Sequence, residues 1–563
     1  VFMGYKESYE KWLNSSAVDE KTKAELRAVT DEKEIEDRFC SMLGFGTAGL
    51  RGILGAGLNR MNVYTVRYAT QGLARLIKDE GEEACEKGVA VACDSRNMSR
   101  EFSEEVCSVL AANGIKTYLF DGPRPTPEMS FAIRRLGCAA GVNITASHNP
   151  REYNGYKAYW SDGIQLSPEQ AKVVSDTIAS IDIFDDVKTV PFEEAKESIT
   201  TLGEDFDDIY LEKVLEQRID REAIAENADM KIVYTPLHGA GHRLVPEVLK
   251  RAGFKNVSPV PEQMVLDGNF PTVKSPNPEN AEALTLAVEQ AKREGADLVI
   301  GTDPDCDRVG IAARKSDGEF ALLTGNQTGA VLLDYVINAR KRNGTLPENA
   351  CVVKTIVTSE IATRICKANG VAIENVLTGF KYIGEKLQHY IDSGEHTFLM
   401  GYEESYGYLF GDYARDKDAC VASMMIAEAA AYYRSRGMTV YNALMSVFER
   451  YGFSVEKTLN LVMPGLDGAE KMKKMMQGLR SEPPKDIGGV SVLSVKDYSQ
   501  GLDGLPKANV LSYALEDGST LIVRPSGTEP KVKVYIMTSG KDETEAKAKE
   551  ERLETGFKEK HAN

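Results

Sequence analysis

One pattern recurs three times along this 563-residue chain: short apolar segments of strand length alternate with helix-length segments, and each set ends on a polar loop. The first set reads as strand 89–93, helix 99–113, strand 115–120, helix 126–136 and strand 139–146. The second reads as strand 232–234, helix 241–252, a strand near Val257, helix 280–294 and strand 297–300. The third reads as helix 326–341, strand 351–356, helix 359–369, strand 371–376, helix 383–392 and strand 397–400. Alternation at this spacing predicts βαβ units with parallel or mixed sheets, hence an α/β fold. The last strands run into Ser147-His148-Asn149-Pro150, Asp303-Pro304-Asp305-Cys306-Asp307-Arg308 and Gly401-Tyr402-Glu403-Glu404-Ser405-Tyr406-Gly407, so three polar loops share one topological place. That predicts three similar domains of diverged sequence, with their chemistry beyond the strand ends. From about residue 455 the pattern changes to alternating segments around one or two helices, a smaller α+β domain, with Arg450-Tyr451-Gly452-Phe453-Ser454 as a hinge. The expected domains are 1–205, 206–324, 325–453 and 454–563.

Composition narrows the partners. Sixty-eight basic against 85 acidic residues leave a net charge of −17, which argues against bulk nucleic-acid binding but leaves room for small anions held by local clusters. No run reaches the ~18 apolar residues of a membrane span, and 419–433, interrupted by Glu428, reads as a buried helix. Residues 1–7 show no basic-then-apolar leader pattern. The nine cysteines are scattered without a Cys-x-x-Cys pair, which suits reduced thiols in a cytoplasm rather than a zinc site.

Ser147 arrives at the mouth of a sheet on a turn bent by Asn149-Pro150, and could attack a carbonyl, hold a phosphate or cap a helix. No Gly-x-Ser-x-Gly elbow surrounds it, which argues against a serine hydrolase. A neighbour in sequence seldom sets its imidazole correctly on the hydroxyl, so His148 reads as a ligand contact or structural donor rather than the base. Asp303, Asp305 and Asp307 recur at alternate positions, so their carboxylates point to one side; an oxygen-only set favours Mg²⁺, and the competing reading is a solvated acidic turn. Arg524-Pro525-Ser526-Gly527-Thr528-Glu529-Pro530, with Lys533 beyond it, fits a phosphate cradle or a hydroxyl-rich turn. Glu403 and Ser405 suit binding of vicinal sugar hydroxyls. The loop Gly46-Thr47-Ala48-Gly49-Leu50-Arg51-Gly52 could wrap a phosphate or simply be flexible, and Lys157 and Lys381 each follow a glycine turn.

Taken in order, Thr145–Pro150, Asp303–Arg308, Gly401–Gly407 and Arg524–Pro530 resemble the motifs of the α-D-phosphohexomutase superfamily, its phosphoglucomutase type, over essentially the whole chain. The resemblance implies three mixed α/β domains and a smaller fourth around a central cleft, and interconversion of glucose 1-phosphate and glucose 6-phosphate. It implies that Ser147 is carried as a phosphoserine, that Mg²⁺ is held by Ser147, Asp303, Asp305 and Asp307, and that glucose 1,6-bisphosphate is intermediate and activator. Lys381 matches a lysine implicated in proton transfer; Arg51, His148 and Lys157 join it as catalytic candidates. Thr47, Arg308, Gly379, Glu403, Ser405 and Lys417 are expected on the substrate, with Arg524, Ser526, Gly527, Thr528 and Lys533 on its phosphate. The partners implied are small sugar phosphates, for a monomer or small homo-oligomer without nucleic acid or membrane. Glu404 stands where phosphomannomutase/phosphoglucomutase members carry Met, and Tyr408 is not His, which points to glucose; the loop also resembles a branch containing phosphopentomutases. Phosphopentomutase or phosphomannomutase action is the alternative, followed by a sugar-phosphate phosphatase or a binder without turnover.

Overall fold

The computed structural model describes residues 4–463, 468–526 and 531–561. They form two compact units. The first comprises 1–322, 387–389 and 407–436, and the second 323–386, 390–406 and 437–563.

The first unit is built on two mixed sheets. In one, Val89–Cys93 lies at the centre, parallel to Thr117–Phe120 and to Ala140–Ile144, and all five residues of both Val89–Cys93 and Ala140–Ile144 are buried. Such strands are covered on both faces, which is why they read as continuous apolar runs. Tyr153–Trp160 pairs antiparallel with Ala140–Ile144, and Leu50–Ile53 antiparallel with Tyr153–Trp160. The covering helix Val63–Asp79 buries Val66, Ala69, Leu73, Leu76 and Ile77, a helical-period stripe, and Asn62 with Thr65 closes its first turn as a capping box. Val66, Leu73, Leu76 and Ile77 each contribute roughly 1.5–3 kcal/mol on burial. In the second sheet Lys231–Thr235 runs parallel to Asn256–Pro259 and Leu298–Thr302, and Val309–Arg314 folds back antiparallel. Helix Ala419–Arg434 belongs to this unit and packs on helix Gly241–Ala252. Glu428, the interruption in its apolar run, is fully buried because its carboxylate accepts from the backbone N–H groups of Ile219 and Asp220.

The second unit holds a parallel set, Ala372–Val376, Ala350–Thr355 and Thr397–Glu403, and a six-stranded sheet whose order starts Phe453–Val462, Lys531–Gly540, Thr520–Pro525. The latter is antiparallel where Phe453–Val462, Lys531–Gly540, Thr520–Pro525 and Leu511–Leu515 meet, with helices Gly468–Ser481 and Glu543–His561 beside it. Its alternating burial, as in Leu511–Leu515, is the pattern of a sheet with one covered face. Among the described residues no helix is long and apolar enough to cross a membrane. All nine cysteines are free thiols.

Candidate active site

The three polar loops share a backbone feature. Ser147, Cys306 and Tyr406 all adopt left-handed conformations, with φ of 52°, 53° and 65°. For residues other than glycine this costs of order 1–3 kcal/mol each, and it persists only where surrounding contacts enforce it.

For Ser147 those contacts are visible. Its N–H donates to Thr145 Oγ1 at 2.8 Å, and Thr145 Oγ1 donates to Asp94 Oδ2 at 2.7 Å. Arg96, buried and 3.2 Å from Asp94, donates to the carbonyl of Ser147 at 2.6 Å and to those of Asn149, Pro150 and Tyr153. Asp94 and Arg96 were not among the sequence candidates. The signal was their position directly after the strand Val89–Cys93, the place already known to matter for the other loops.

Ser147 Oγ donates to Asp303 Oδ2 at 2.8 Å. The serine loop and the aspartate loop are therefore one site. Asp303 Oδ1 accepts from the N–H groups of Asp307 and Arg308 at 3.1 and 3.0 Å, so the loop wraps its own first carboxylate. Asp305 Oδ2 accepts from Thr126 Oγ1 and from Lys157 Nζ, both at 2.7 Å. Thr126 opens the helix Thr126–Leu136, whose Pro127 suits a first turn and whose Gly137 ends it in the left-handed conformation. Asp307 Oδ2 lies 3.3 Å from Lys157 Nζ and 3.1 Å from Lys417 Nζ; Lys417 also pairs with Asp416 at 3.0 Å, and Asp416 accepts from Tyr159 at 2.7 Å.

Burial, and then the charges of Asp305 and Asp307, push the Asp303 carboxyl well above the usual range. Burial would raise Asp305 too, but the Lys157 ammonium and the hydrogen bonds from Lys157 and Thr126 outweigh it and hold Asp305 low. The three carboxylates are fully buried, and one oxygen of each lies within 4.8 Å of the others. Asp305 Oδ1 and Asp307 Oδ1 are buried and accept no hydrogen bond from any described residue. Buried acceptors left without a donor are costly, and three carboxylate oxygens gathered this closely are an oxygen-only set that one small hard cation could draw together. The residues present fit a metal of the Mg²⁺ class.

The other first-unit candidates gather around this core. His148 Nδ1 is 3.3 Å from Ser147 Oγ, closer than expected for adjacent residues; the left-handed turn at Ser147 brings the ring round. Burial, reinforced by Arg308 and Arg51, lowers its pKa well below the usual imidazole value, so the ring is neutral. Arg51 donates to Asn149 Oδ1 at 3.0 Å, and Arg308 pairs with Glu279 at 2.8 Å. Thr47 is half-buried in the turn closed between Gly46 and Gly49. Gly49 is required there: its φ is 77°, and a Cβ would sit 1.8 Å from the carbonyl oxygen of Tyr156.

The second unit holds the remaining candidates. Gly379 N–H donates to Glu403 Oε1 at 3.0 Å, which fixes a buried carboxylate beside the turn carrying Lys381. Lys381 Nζ lies 3.7 Å from Glu385 and 4.9 Å from the centre of the Tyr382 ring. Ser405 is half-buried in the loop, whereas Glu404 accepts from Thr355 and Thr358. Arg524 and Lys533 are direct cross-strand partners, and Ser526 N–H donates to the Lys531 carbonyl. Two like charges placed opposite each other oppose pairing unless an anion lies between them. Gly527 and Thr528 lie outside the described residues.

Comparison with known proteins agrees with this geometry. Residues 42–183, 208–318 and 324–451 match phosphoglucomutase/phosphomannomutase alpha/beta/alpha domains I, II and III, and 469–554 match the C-terminal domain of the same family. A phosphoglucomutase of Staphylococcus haemolyticus (strain JCSC1435) is 36% identical over 513 residues, covering 89% of this chain and 91% of that protein. One from Staphylococcus aureus (strain MRSA252) is 35% identical over 519 residues, covering 90% and 91%. Among solved structures, the open form of pp63/parafusin, a phosphoglucomutase from Paramecium, superposes with a TM-score of 0.69 at 18% identity, covering 92% of this chain and 95% of that one. A phosphoglucomutase/phosphomannomutase family protein from Burkholderia thailandensis gives 0.67 at 19%, covering 92% and 97%. At these identities the two structures speak for the fold.

Proposed function

The chain belongs to the phosphoglucomutase/phosphomannomutase family, and on that footing we propose that it interconverts glucose 1-phosphate and glucose 6-phosphate through a phosphoserine at Ser147. The observation that carries this reading is the Ser147–Asp303 hydrogen bond: a hydroxyl set on a buried three-carboxylate cluster favours a metal-assisted phosphoryl carrier over acyl transfer.

Asp303, Asp305 and Asp307, with the Ser147 phosphate, would hold Mg²⁺, which supplies charge withdrawal from the transferring group. The chain's own residues do the rest. In the forward step the bond from phosphorus to Ser147 Oγ breaks as one forms to the free hydroxyl of the sugar monophosphate, giving glucose 1,6-bisphosphate. Asp94 and Arg96 keep Ser147 in its left-handed turn, so the leaving oxygen needs no reorganisation. Lys157 and Lys417 balance the aspartate charge; Arg51, on Asn149, and His148, beside Ser147 Oγ, would face the transferring group. Lys381 is the candidate to take the hydroxyl proton. The bisphosphate then presents its other phosphate to Ser147, which regains a phosphoryl group. Thr47, Arg308, Gly379, Glu403 and Ser405 are assigned to the sugar phosphate. Arg524, Ser526, Gly527, Thr528 and Lys533 are assigned to the phosphate that is not reacting. Domain limits of 1–205, 206–324, 325–453 and 454–563, and a cytoplasmic setting with reduced thiols, belong to the same proposal.

The test is a coupled assay on glucose 1-phosphate, mannose 1-phosphate and ribose 1-phosphate, each with Mg²⁺ and a bisphosphate primer. Glucose 1-phosphate should be turned over at least about tenfold faster than the others. An equal or greater rate on the pentose, or stoichiometric release of inorganic phosphate, overturns the reading. Ser147→Ala should lose at least about a thousandfold in kcat.

A further inference from the structure

A second cluster of metal-ligating side chains lies at the opposite ends of strands whose carboxyl ends lead to Glu403 and Gly379. Cys351 is the second residue of Ala350–Thr355, Glu374 the third of Ala372–Val376, and His396 directly precedes Thr397–Glu403. In the parallel register Cys351 lies opposite Ala372, Val353 opposite Glu374, and Ala350 opposite Thr397. Alternation along the strands therefore puts Cys351, Glu374 and His396 on one face. One ligand atom of each lies within 4.8 Å of the other two, with Cys351 buried and the other two half-buried.

The polarity of the imidazole is set from outside the cluster. His396 Nδ1 is 3.2 Å from the Asn349 carbonyl, which only accepts, so Nδ1 is the donor. Nε2, the other ring nitrogen, therefore faces the cluster, 3.9 Å from Glu374 Oε1. A histidine whose one ring nitrogen is held by a backbone carbonyl while the other faces a carboxylate and a thiol is the usual arrangement of a metal ligand. Lys386 Nζ holds the other carboxylate oxygen, Glu374 Oε2, at 2.5 Å, and the Tyr390 hydroxyl is 3.4 Å from Cys351 Sγ, so the ligands are supported from the helix Phe380–Ser393 that covers this face.

We propose that Cys351, Glu374 and His396 form a binding site for a zinc-class divalent cation, distinct in chemistry from the all-oxygen aspartate site. Sulfur, nitrogen and carboxylate ligands select a borderline-soft ion, and bonds of about 2.0–2.3 Å would draw the three atoms to ~3.3–3.7 Å apart, with a fourth position for water. The cation would tie together the entry ends of three strands beneath the helix whose first turn carries Lys381.

The test is Co²⁺ titration of the full-length, reduced, metal-stripped protein in the presence of excess Mg²⁺. A thiolate-to-cobalt charge-transfer band should rise and saturate at one equivalent, and Zn²⁺ should abolish it. The aspartate carboxylates cannot produce that band, and the sulfur of Cys306 in the same loop lies against Cys420 Sγ at 3.9 Å, which the Cys306→Ser control tests. His396→Ala, checked for an unchanged circular dichroism spectrum and melting temperature, should weaken Co²⁺ binding by at least about tenfold, Cys351→Ser should remove the band, and Cys306→Ser should leave it intact. Absence of the band in the parent protein, or its persistence at full affinity in His396→Ala, overturns the site.

Discussion

Arg96 donates to the carbonyls of Ser147, Asn149, Pro150 and Tyr153 and is itself held by Asp94, so the serine turn is carried by a side chain from another strand end. Its forked guanidinium serves several acceptors at once, which a single ammonium cannot. Arg96→Lys is therefore expected to lower kcat about a hundredfold with little change in KM, while Mg²⁺ binding persists; steady-state kinetics with magnesium titration checks it. Ser147 and the three aspartates were legible in the sequence because their chemistry is written in adjacent letters. Asp94 and Arg96 were not: Asp-Ser-Arg after a strand has no catalytic signature, and only the fold shows which carbonyls the arginine reaches. His148 was legible as a candidate but not its approach to Ser147, because that depends on a positive φ that a non-glycine sequence does not announce.

At the scale of elements, the parallel strands were readable from apolar runs, and their helices from the helix-length segments that alternate with them. Tyr153–Trp160 was not, since Asn154-Gly155 reads as a turn. Gly155 is there because its neighbours leave no room for a side chain: a Cβ would meet the Thr145 carbonyl oxygen at 2.5 Å and that of Leu50 at 2.8 Å. The strand Phe453–Val462 carries an equally hidden group. Burial raises the Glu456 carboxyl to about 7, against a hydrogen bond from Ser359 and the charges of Arg364 and Lys354, which act the other way. A carboxyl raised on folding is protonated in the native state at pH values where the unfolded chain has already lost its proton. Its stabilisation is thus complete below its ordinary value of 4.5 and is lost as pH rises to about 7. Glu456→Gln should remove this part of the pH dependence and leave the protein about 1–3 kcal/mol more stable than the parent above that window, measured by denaturant unfolding across pH.

Over the whole molecule, Ser147, the three aspartates and their charge partners belong to the first unit, along with the substrate candidates Thr47, Arg308 and Lys417, whereas Gly379, Lys381, Glu403, Ser405 and Arg524 belong to the second. The two should separate in kinetics. Asp305→Asn is expected to reduce kcat by at least about a hundredfold, whereas Arg524→Ala should raise KM about tenfold with kcat nearly kept; an unchanged KM in Arg524→Ala would show that the recognition loop is only a turn. The threefold repeat was legible because each repeat has its own strand-and-helix period. The assignment of 407–436 to the first unit was not, because helix Ala419–Arg434 looks from its sequence like one more helix of the third repeat. That assignment also limits how the chain can be divided. Lys417 reaches Asp307 only because a late stretch of chain completes the early unit. No single scission yields either unit whole: an amino-terminal half would lack Lys417 and the Glu428 carboxylate that holds the backbone at Ile219. A ribosome must therefore pass residue 436 before the unit that holds Ser147 and the three aspartates can close.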